Sequence, residues 1–206
     1  MSRPRLLDLF CGAGGAAMGY HRAGFDVTGV DIKPQPHYPF PFILGDALEY
    51  VREHGTEYDA IHASPPCQAY SCMTRDHSKH DDLYQSTRDE LRQFNVPWCI
   101  ENVIGAPYQH GVMLCGSMFK LRVRRHRNFE TRDLILNPMR CNHNGERVIT
   151  VTTATDTGSR GIVDYEHSRH APFELNREIM GMPWCETQNE IGLAIPPAYT
   201  QSLIHI

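Results

Sequence analysis

The sequence predicts an α/β protein with a doubly wound, mostly parallel sheet and a small irregular or β lobe, and three observations lead there. Short apolar runs alternate with helical stretches through the first hundred or so residues, the pattern of a parallel sheet covered on both faces. The first run stops at a glycine cluster, Cys11-Gly12-Ala13-Gly14-Gly15, the kind of strand-to-helix turn at which nucleotide-like ligands bind. Beyond residue 105 the alternation gives way to short extended pieces, and from Asp133 to His170 to a stretch rich in Thr, Asn and Gly. The expected organisation is a main domain over 1–132, a small lobe over 133–172 and a C-terminal segment, 173–206, that returns to the main domain.

Taken in order, Arg5 to Phe10 reads as a buried strand, Ala16 to Tyr20 as a helix that Gly24 ends, and Phe25 to Asp31 as a second strand finishing on an acid. Pro34 to Pro41 is too rich in proline for a helix and must be a loop. Phe42 to Leu44 gives a third strand, Ala47 to His54 a short helix, and Tyr58 to Ala63 a fourth strand that opens into Ser64-Pro65-Pro66-Cys67-Gln68. A helix follows from Leu83 to Phe94, and Trp98 to Ile100 is a fifth strand leading into Glu101-Asn102-Val103. The later extended pieces are Val112 to Leu114, Arg122 to Phe129, Leu134 to Leu136 and Arg147 to Thr153, with helices over Leu175 to Met180 and after Pro196-Pro197.

With 206 residues, 41% of them hydrophobic, the chain can bury a core without disulfides or a structural metal. No apolar run approaches the roughly 18 residues of a membrane span, and Met1-Ser2-Arg3-Pro4-Arg5 lacks a secretory pattern, so a soluble, cytoplasmic chain is expected. Seven cysteines without a repeated spacing fit a reducing compartment. A net charge of -4 seems to exclude nucleic acid. Of the 20 basic residues, however, only Lys33, Lys79 and Lys120 are lysine, and the positive charge clusters at Lys120, Arg122, Arg124, Arg125 and Arg127. Guanidinium groups suit bidentate phosphate and base contacts, although a charge run taken alone reads as a solvated surface.

The glycine turn is not the G-x-G-x-x-G fingerprint, because Ala17 stands at the third glycine position, and this disfavours a nicotinamide dehydrogenase. Asp31 and Asp46 at strand ends on the same edge suit a ribose-containing ligand. Cys67, held extended by two prolines at that edge, is a candidate nucleophile, while Cys11, Cys99 and Cys115 read as inert packing thiols. Glu101, at the next strand end, is a candidate acid whose pKa burial would raise. Cys141-x-His143 is spaced more tightly than usual zinc pairs, and chance neighbours account for it and for His167-x-x-His170, so no metal is assigned.

Asp8-Leu9-Phe10-Cys11-Gly12-Ala13-Gly14-Gly15, Pro65-Pro66-Cys67-Gln68-Ala69-Tyr70-Ser71 and Glu101-Asn102-Val103 resemble, in order, the cofactor, nucleophile and acid motifs of DNA (cytosine-5)-methyltransferases. Arg125-His126-Arg127-Asn128-Phe129 and Ile191-Gly192-Leu193-Ala194-Ile195-Pro196-Pro197 are similar to two later motifs of that family. The resemblance implies S-adenosylmethionine as donor, with Phe10 against the adenine, Asp31 at the ribose, Asp46 near the adenine amino group, and Gly12, Gly14 and Pro66 in the cofactor pocket. It implies Cys67 as nucleophile toward C6 of cytosine, Glu101 at N3, Arg127 on the flipped base and Arg125 orienting the site. DNA is the implied partner, met also by Gln68, Ser71, Arg122 and Arg124.

The chain departs from the family in four places: the loop after Ser71 lacks glycines, Val123 replaces a glutamine, Leu193 replaces an asparagine, and the 133–172 lobe is short for target recognition. Specificity is then short or relaxed, or rests on self-association or a second chain. Two alternatives stay open: modification of a free pyrimidine nucleotide or use of another one-carbon donor, and a non-catalytic DNA- or cofactor-binding protein.

Overall fold

A computed structural model describes residues 2–72, 74–133, 140–143, 148–149, 151–152 and 172–204. Strands β1 (Arg5–Leu9), β2 (Asp26–Asp31), β3 (Phe42–Leu44), β4 (Ala60–Ala63), β5 (Trp98–Asn102), β6 (Gly111–Leu114) and β7 (Arg127–Thr131) form one sheet in the order β3-β2-β1-β4-β5-β7-β6. β1 to β5 pair in parallel, and β7 runs against both of its neighbours. Because β1 lies between β2 and β4, the winding reverses at its carboxyl end, which is where open α/β sheets bind ligands.

The central strands are continuous apolar runs because both of their faces are covered. Leu6 and Val27 pack with Ala16, Ala17, Tyr199 and Leu203 of helices α1 (Gly15–Arg22) and α6 (Pro197–Leu203). Leu7, Leu9, Val30 and Ile61 pack instead with Val51, Tyr84 and Leu91 of α2 (Ala47–His54) and α3 (Leu83–Leu91). Where α1 meets α6, a side chain at Gly19 would collide with the Pro197 carbonyl and the Thr200 hydroxyl. That hydroxyl donates to the Ala16 carbonyl at 2.8 Å. Helices α4 (Phe173–Met180) and α5 (Gln188–Leu193) enclose a third cluster, in which Ile179, Met182 and Ile191 surround Ala13 and Val123.

Several expected boundaries shift. β5 continues to Asn102, so Glu101 lies inside a paired strand, opposite Phe129. The extended piece expected from Arg122 pairs only from Arg127, because Arg125 has φ 37° and breaks the run. The helix expected to reach Phe94 ends at Leu91, and α5 has no counterpart in the sequence reading. Leu134 to Leu136 and, within Arg147 to Thr153, residues 147, 150 and 153 lie outside the described residues. Among the described residues no helix is long and apolar enough to cross a membrane.

A buried ion pair ties α3 to the reversed strand. Arg88 donates from Nε to Glu130 Oε1 at 2.8 Å and from Nη2 to Oε2 at 2.7 Å, with side chains 3% and 0% exposed. The Tyr84 hydroxyl and the Gln109 amide also donate to Oε2. Burial alone would raise the Glu130 pKa, but the bonds from Arg88 and Tyr84 outweigh it and hold the carboxyl below 4.5. Glu130→Ala leaves Arg88 buried and unpaired, and urea melts at pH 7 are expected to show a loss of about 3–5 kcal/mol. A depressed carboxylate stabilises the fold above its unfolded pKa and loses that contribution as pH falls through the folded value. The gap between wild type and variant should therefore narrow in acid below pH 4.5.

Candidate active site

The sheet register brings the candidate residues level. Leu9 pairs with Val30 and with Ala63, and Ala63 pairs with Ile100. The next residues along the four strands, Phe10, Asp31, Ser64 and Glu101, therefore reach the same carboxyl edge.

After β1 the backbone turns through three residues with positive φ, Phe10 (56°), Gly12 (47°) and Gly14 (81°). A side chain at Gly14 would press on Tyr38 and Pro39 at 2.9 Å, whereas one at Gly12 would meet nothing within 4 Å, so Gly12 faces open space. Gly14 caps α1 without a side-chain bond, leaving first-turn N–H groups to the crevice. The Gly12 amide donates to Asp31 Oδ2 at 3.0 Å and the Lys33 amide to Oδ1 at 2.9 Å, which fixes the acid beside the turn. Asp46 is exposed, and its Oδ1 caps α2 by accepting from the Leu48 and Glu49 amides. Phe10 is half-buried.

The thiol loop is anchored from β5, where Asn102 Nδ2 donates to the Pro65 carbonyl at 2.9 Å. The Cys67 carbonyl accepts from the Tyr70 and Ser71 amides at 3.0 and 2.8 Å, closing a turn that leaves Cys67 half-buried between exposed Pro66 and Gln68. Ser71 is half-buried. Burial pushes the Cys67 thiol up from its usual 9.0; Arg127 opposes this, Glu101 adds to it, and Arg125 opposes it more weakly.

Glu101 is buried, and its carboxyl is raised chiefly by burial, against the lowering pull of Arg127, Ser64 and Arg125. Arg127 Nε lies 3.0 Å from Glu101 Oε1, but at an angle that makes an ion pair without a hydrogen bond, so Oε1 has no hydrogen-bond partner. Arg125 donates to the Val151 and Gly192 carbonyls at 3.2 and 2.7 Å. Burial and then the Arg127 charge push its guanidinium down to about 9, still protonated at neutral pH. The other arginines of the cluster point elsewhere: Arg122 is exposed, and half-buried Arg124 places Nη2 3.5 Å from the His143 carbonyl.

The structure adds residues that the sequence reading did not assign. Tyr199 donates its hydroxyl to the Arg124 and Arg125 carbonyls at 3.2 and 2.8 Å, and Trp184 Nε1 donates to the Ala13 carbonyl at 2.7 Å. Ile32, next to Asp31, is 68% exposed, and Leu193 is 62% exposed. An apolar residue directly after the acid was the visible signal for Ile32; for Tyr199 and Trp184 there was none. An apolar hollow lined by Leu6, Ile61, Trp98 and Leu203 opens elsewhere and shares no residue with this site.

Residues 4–87, which carry the glycine turn, Asp31 and the thiol loop, match the C-5 cytosine-specific DNA methylase family. Over that stretch the chain is similar to the C-5 cytosine-specific DNA methylases. It is 31% identical over 124 residues to the type II methyltransferase M.XorII of Xanthomonas oryzae pv. oryzae, covering 51% of this chain and 29% of the relative. It is likewise 31% identical over 122 residues to M.AquIA of Picosynechococcus, covering 49% of each. The chain thus spans half or less of the length of the curated relatives it matches. Solved structures agree on the fold. The S. pombe Dnmt2 methyltransferase superposes with a TM-score of 0.68 at 15% identity, and a Spodoptera frugiperda DNMT2 variant with 0.64 at 13%, each comparison covering 98% of both chains.

Two predictions follow from these charges. Alkylation of Cys67, followed by peptide mass mapping with exposed Cys72 as reference thiol, is expected to be slow at neutral pH and to accelerate beyond pH 9.0. Arg127→Ala should slow it further, since Arg127 is the strongest charge favouring the thiolate; a Cys67 that outpaces Cys72 at neutral pH would contradict this account. Glu101 has a folded pKa above its ordinary 4.5, so its contribution to stability is full below that value and is lost as pH rises through the folded one. Glu101→Gln should therefore raise the melting temperature at neutral pH, and the difference should close below pH 4.5.

Proposed function

We propose that this chain transfers a methyl group from S-adenosylmethionine to C5 of cytosine in DNA, through a covalent bond between Cys67 and C6 of the base. The observation that carries the reading is the meeting of a half-buried thiol and a buried carboxyl with no hydrogen bond to one oxygen, between two guanidinium groups and beside an open glycine turn.

The crevice fits the donor. Asp31 ends a strand beside Gly12, suited to ribose hydroxyls, and half-buried Phe10 with exposed Ile32 offers apolar surface to an adenine. Asp46, Pro66 and Gly14 complete the proposed pocket. When bound, S-adenosylmethionine supplies a methyl group activated by a sulfonium.

The chain's own residues account for the rest. A base inside a duplex cannot be reached, so the cytosine must leave the stack, and Arg127 is placed to grip its carbonyl edge. The Cys67 thiol gives its proton to solvent, the Arg127 and Arg125 charges favouring the thiolate, and the sulfur adds to C6 as the electron pair of the C5–C6 double bond moves to make C5 nucleophilic and negative charge spreads toward N3. Glu101, whose carboxyl burial pushes toward the protonated form, donates to N3 and neutralises that charge, taking the proton back when the ring is restored. Once C5 carries its new substituent, loss of the C5 proton and expulsion of the Cys67 sulfur restore the double bond. Arg125 fixes the Arg127 turn, and exposed Gln68 and Arg122, with Ser71 and Arg124, are proposed to meet the DNA.

The deciding experiment incubates the full chain with S-adenosylmethionine and duplex DNA carrying 5-fluorocytosine, in which fluorine replaces the proton that must be lost. A denaturation-resistant protein–DNA adduct is expected from wild type and none from Cys67→Ser, which should also lose turnover on ordinary DNA. Wild-type turnover by the serine variant would overturn the mechanism. Turnover on free deoxycytidine nucleotide in preference to duplex would move the acceptor to the nucleotide.

A further inference from the structure

Cys115, read from the sequence as an inert thiol, is not isolated in space. It sits just after β6, His126 just before β7, and Cys141 and His143 in the segment beyond that strand. Their ligand atoms, two Sγ and two Nε2, all lie within 4.8 Å of one another. Cys115 Sγ is 3.4 Å from His143 Nε2, His126 Nε2 is 3.3 Å from Cys141 Sγ, and Cys141 Sγ is 2.6 Å from His143 Nε2. The two imidazoles approach with centroids 5.0 Å apart and planes at 67°, so that both present Nε2 to the same point. The close Cys141-x-His143 spacing that argued against a metal is completed by partners that lie far away in sequence.

A tetrahedral zinc ion with sulfur ligands at about 2.3 Å and nitrogen ligands at about 2.0–2.1 Å holds its donors roughly 3.3–3.8 Å apart. Two of the three distances fall at that spacing, and the shortest would have to open by about 1 Å. The donor set contains two thiols, two imidazoles and no carboxylate, which selects zinc over magnesium or calcium. A supporting shell is in place: the Ser117 hydroxyl lies 3.3 Å from Cys115 Sγ and 3.6 Å from Cys141 Sγ, and it accepts the Asn142 amide at 3.3 Å. Hydroxyl donation of this kind steadies metal-bound thiolates.

We infer that Cys115, His126, Cys141 and His143 bind a structural zinc ion that staples the segment beyond β7 to the arginine turn. Four protein ligands close the coordination sphere, so the ion takes no direct part in chemistry. Its place is telling nonetheless, because His126 lies between Arg125 and Arg127, and the His143 carbonyl faces Arg124. Zinc would fix the backbone from which Arg125 and Arg127 project, and would hold the start of the 133–172 segment against the main domain. This inference does not depend on which reaction the crevice performs.

The test uses the full chain, purified under reducing conditions from zinc-supplemented culture. Elemental analysis is expected to find about one zinc per chain, and cobalt exchange should give the visible bands and sulfur-to-metal charge transfer of a tetrahedral thiolate site. Cys141→Ser and His143→Gln, at half-buried and exposed positions, should reduce the zinc content to under about a tenth of an equivalent at pH 7. Chelation of wild type should lower the melting temperature, and zinc should restore it. Three outcomes overturn the inference: no metal and no cobalt spectrum in the reduced chain, metal retained at full stoichiometry by both variants, or a Cys115–Cys141 disulfide found by mass spectrometry in freshly isolated protein. The cobalt spectrum is read on wild type, so the result stands even if a variant fails to fold.

Discussion

Arg125 carries a full positive charge into a half-buried position at the head of β7, next to Arg127 and with a backbone φ of 37°. For a residue with a side chain, that conformation costs on the order of 1–3 kcal/mol, and a desolvated cation beside another cation costs more. Both are offset from a distance. The Val151 and Gly192 carbonyls accept from its guanidinium, and the Tyr199 hydroxyl holds the carbonyls of Arg124 and Arg125. The C-terminal third of the chain is thus tied to one turn. Because the turn is fixed, Arg127 projects onto Glu101 rather than into solvent, and the antiparallel pairing of β7 with β5 can begin at Asn128 and Asn102.

The same constraint explains the protonation of the site. Two guanidinium groups would ordinarily draw both a thiol and a carboxyl toward their ionised forms, yet both are pushed the other way by burial. The geometry gives the reason for Glu101. Arg127 comes within 3.0 Å but off the hydrogen-bond axis, and its Coulombic pull, helped by Ser64 and Arg125, does not outweigh burial. The result is a carboxyl and a thiol that burial biases toward their neutral forms despite two neighbouring guanidinium groups.

Much of this was legible in the sequence. Local patterning placed the first five strands and most of the helices to within a few residues, because buried parallel strands are bounded by glycine, proline and acid at their ends. The candidate residues Asp31, Cys67 and Glu101 could be placed near one edge for the same reason, since each stands near or beyond a strand end. Helix α5 could have been found from Thr187-x-x-Glu190, a capping box in which the Thr187 hydroxyl accepts from the Glu190 amide and the Glu190 carboxylate accepts from the Thr187 amide. What local pattern could not carry were contacts between distant segments. The Tyr199 bond to the arginine turn, the Trp184 bond to the glycine turn and the meeting of Cys115 with Cys141 and His143 all join residues brought together only by the sheet. The positive φ of Arg125 was hidden for the same reason, since its support comes from residues more than twenty positions away.

The close packing of α1 on α6, which allows no side chain at Gly19, has a consequence for how the chain is born. Synthesis delivers the glycine turn and the thiol loop early, with the strands that flank them, and α6 only well after them. Until it docks, one face of β1 and β2 is bare of Tyr199 and Leu203, and the Tyr199 hydroxyl does not yet hold the arginine turn. A ribosome-bound intermediate would therefore hold the glycine turn and the Cys67 loop before the arginine turn is braced. Contacts so far apart in sequence are slow to form, and here they separate, in time, the shaping of one side of the crevice from the bracing of the other.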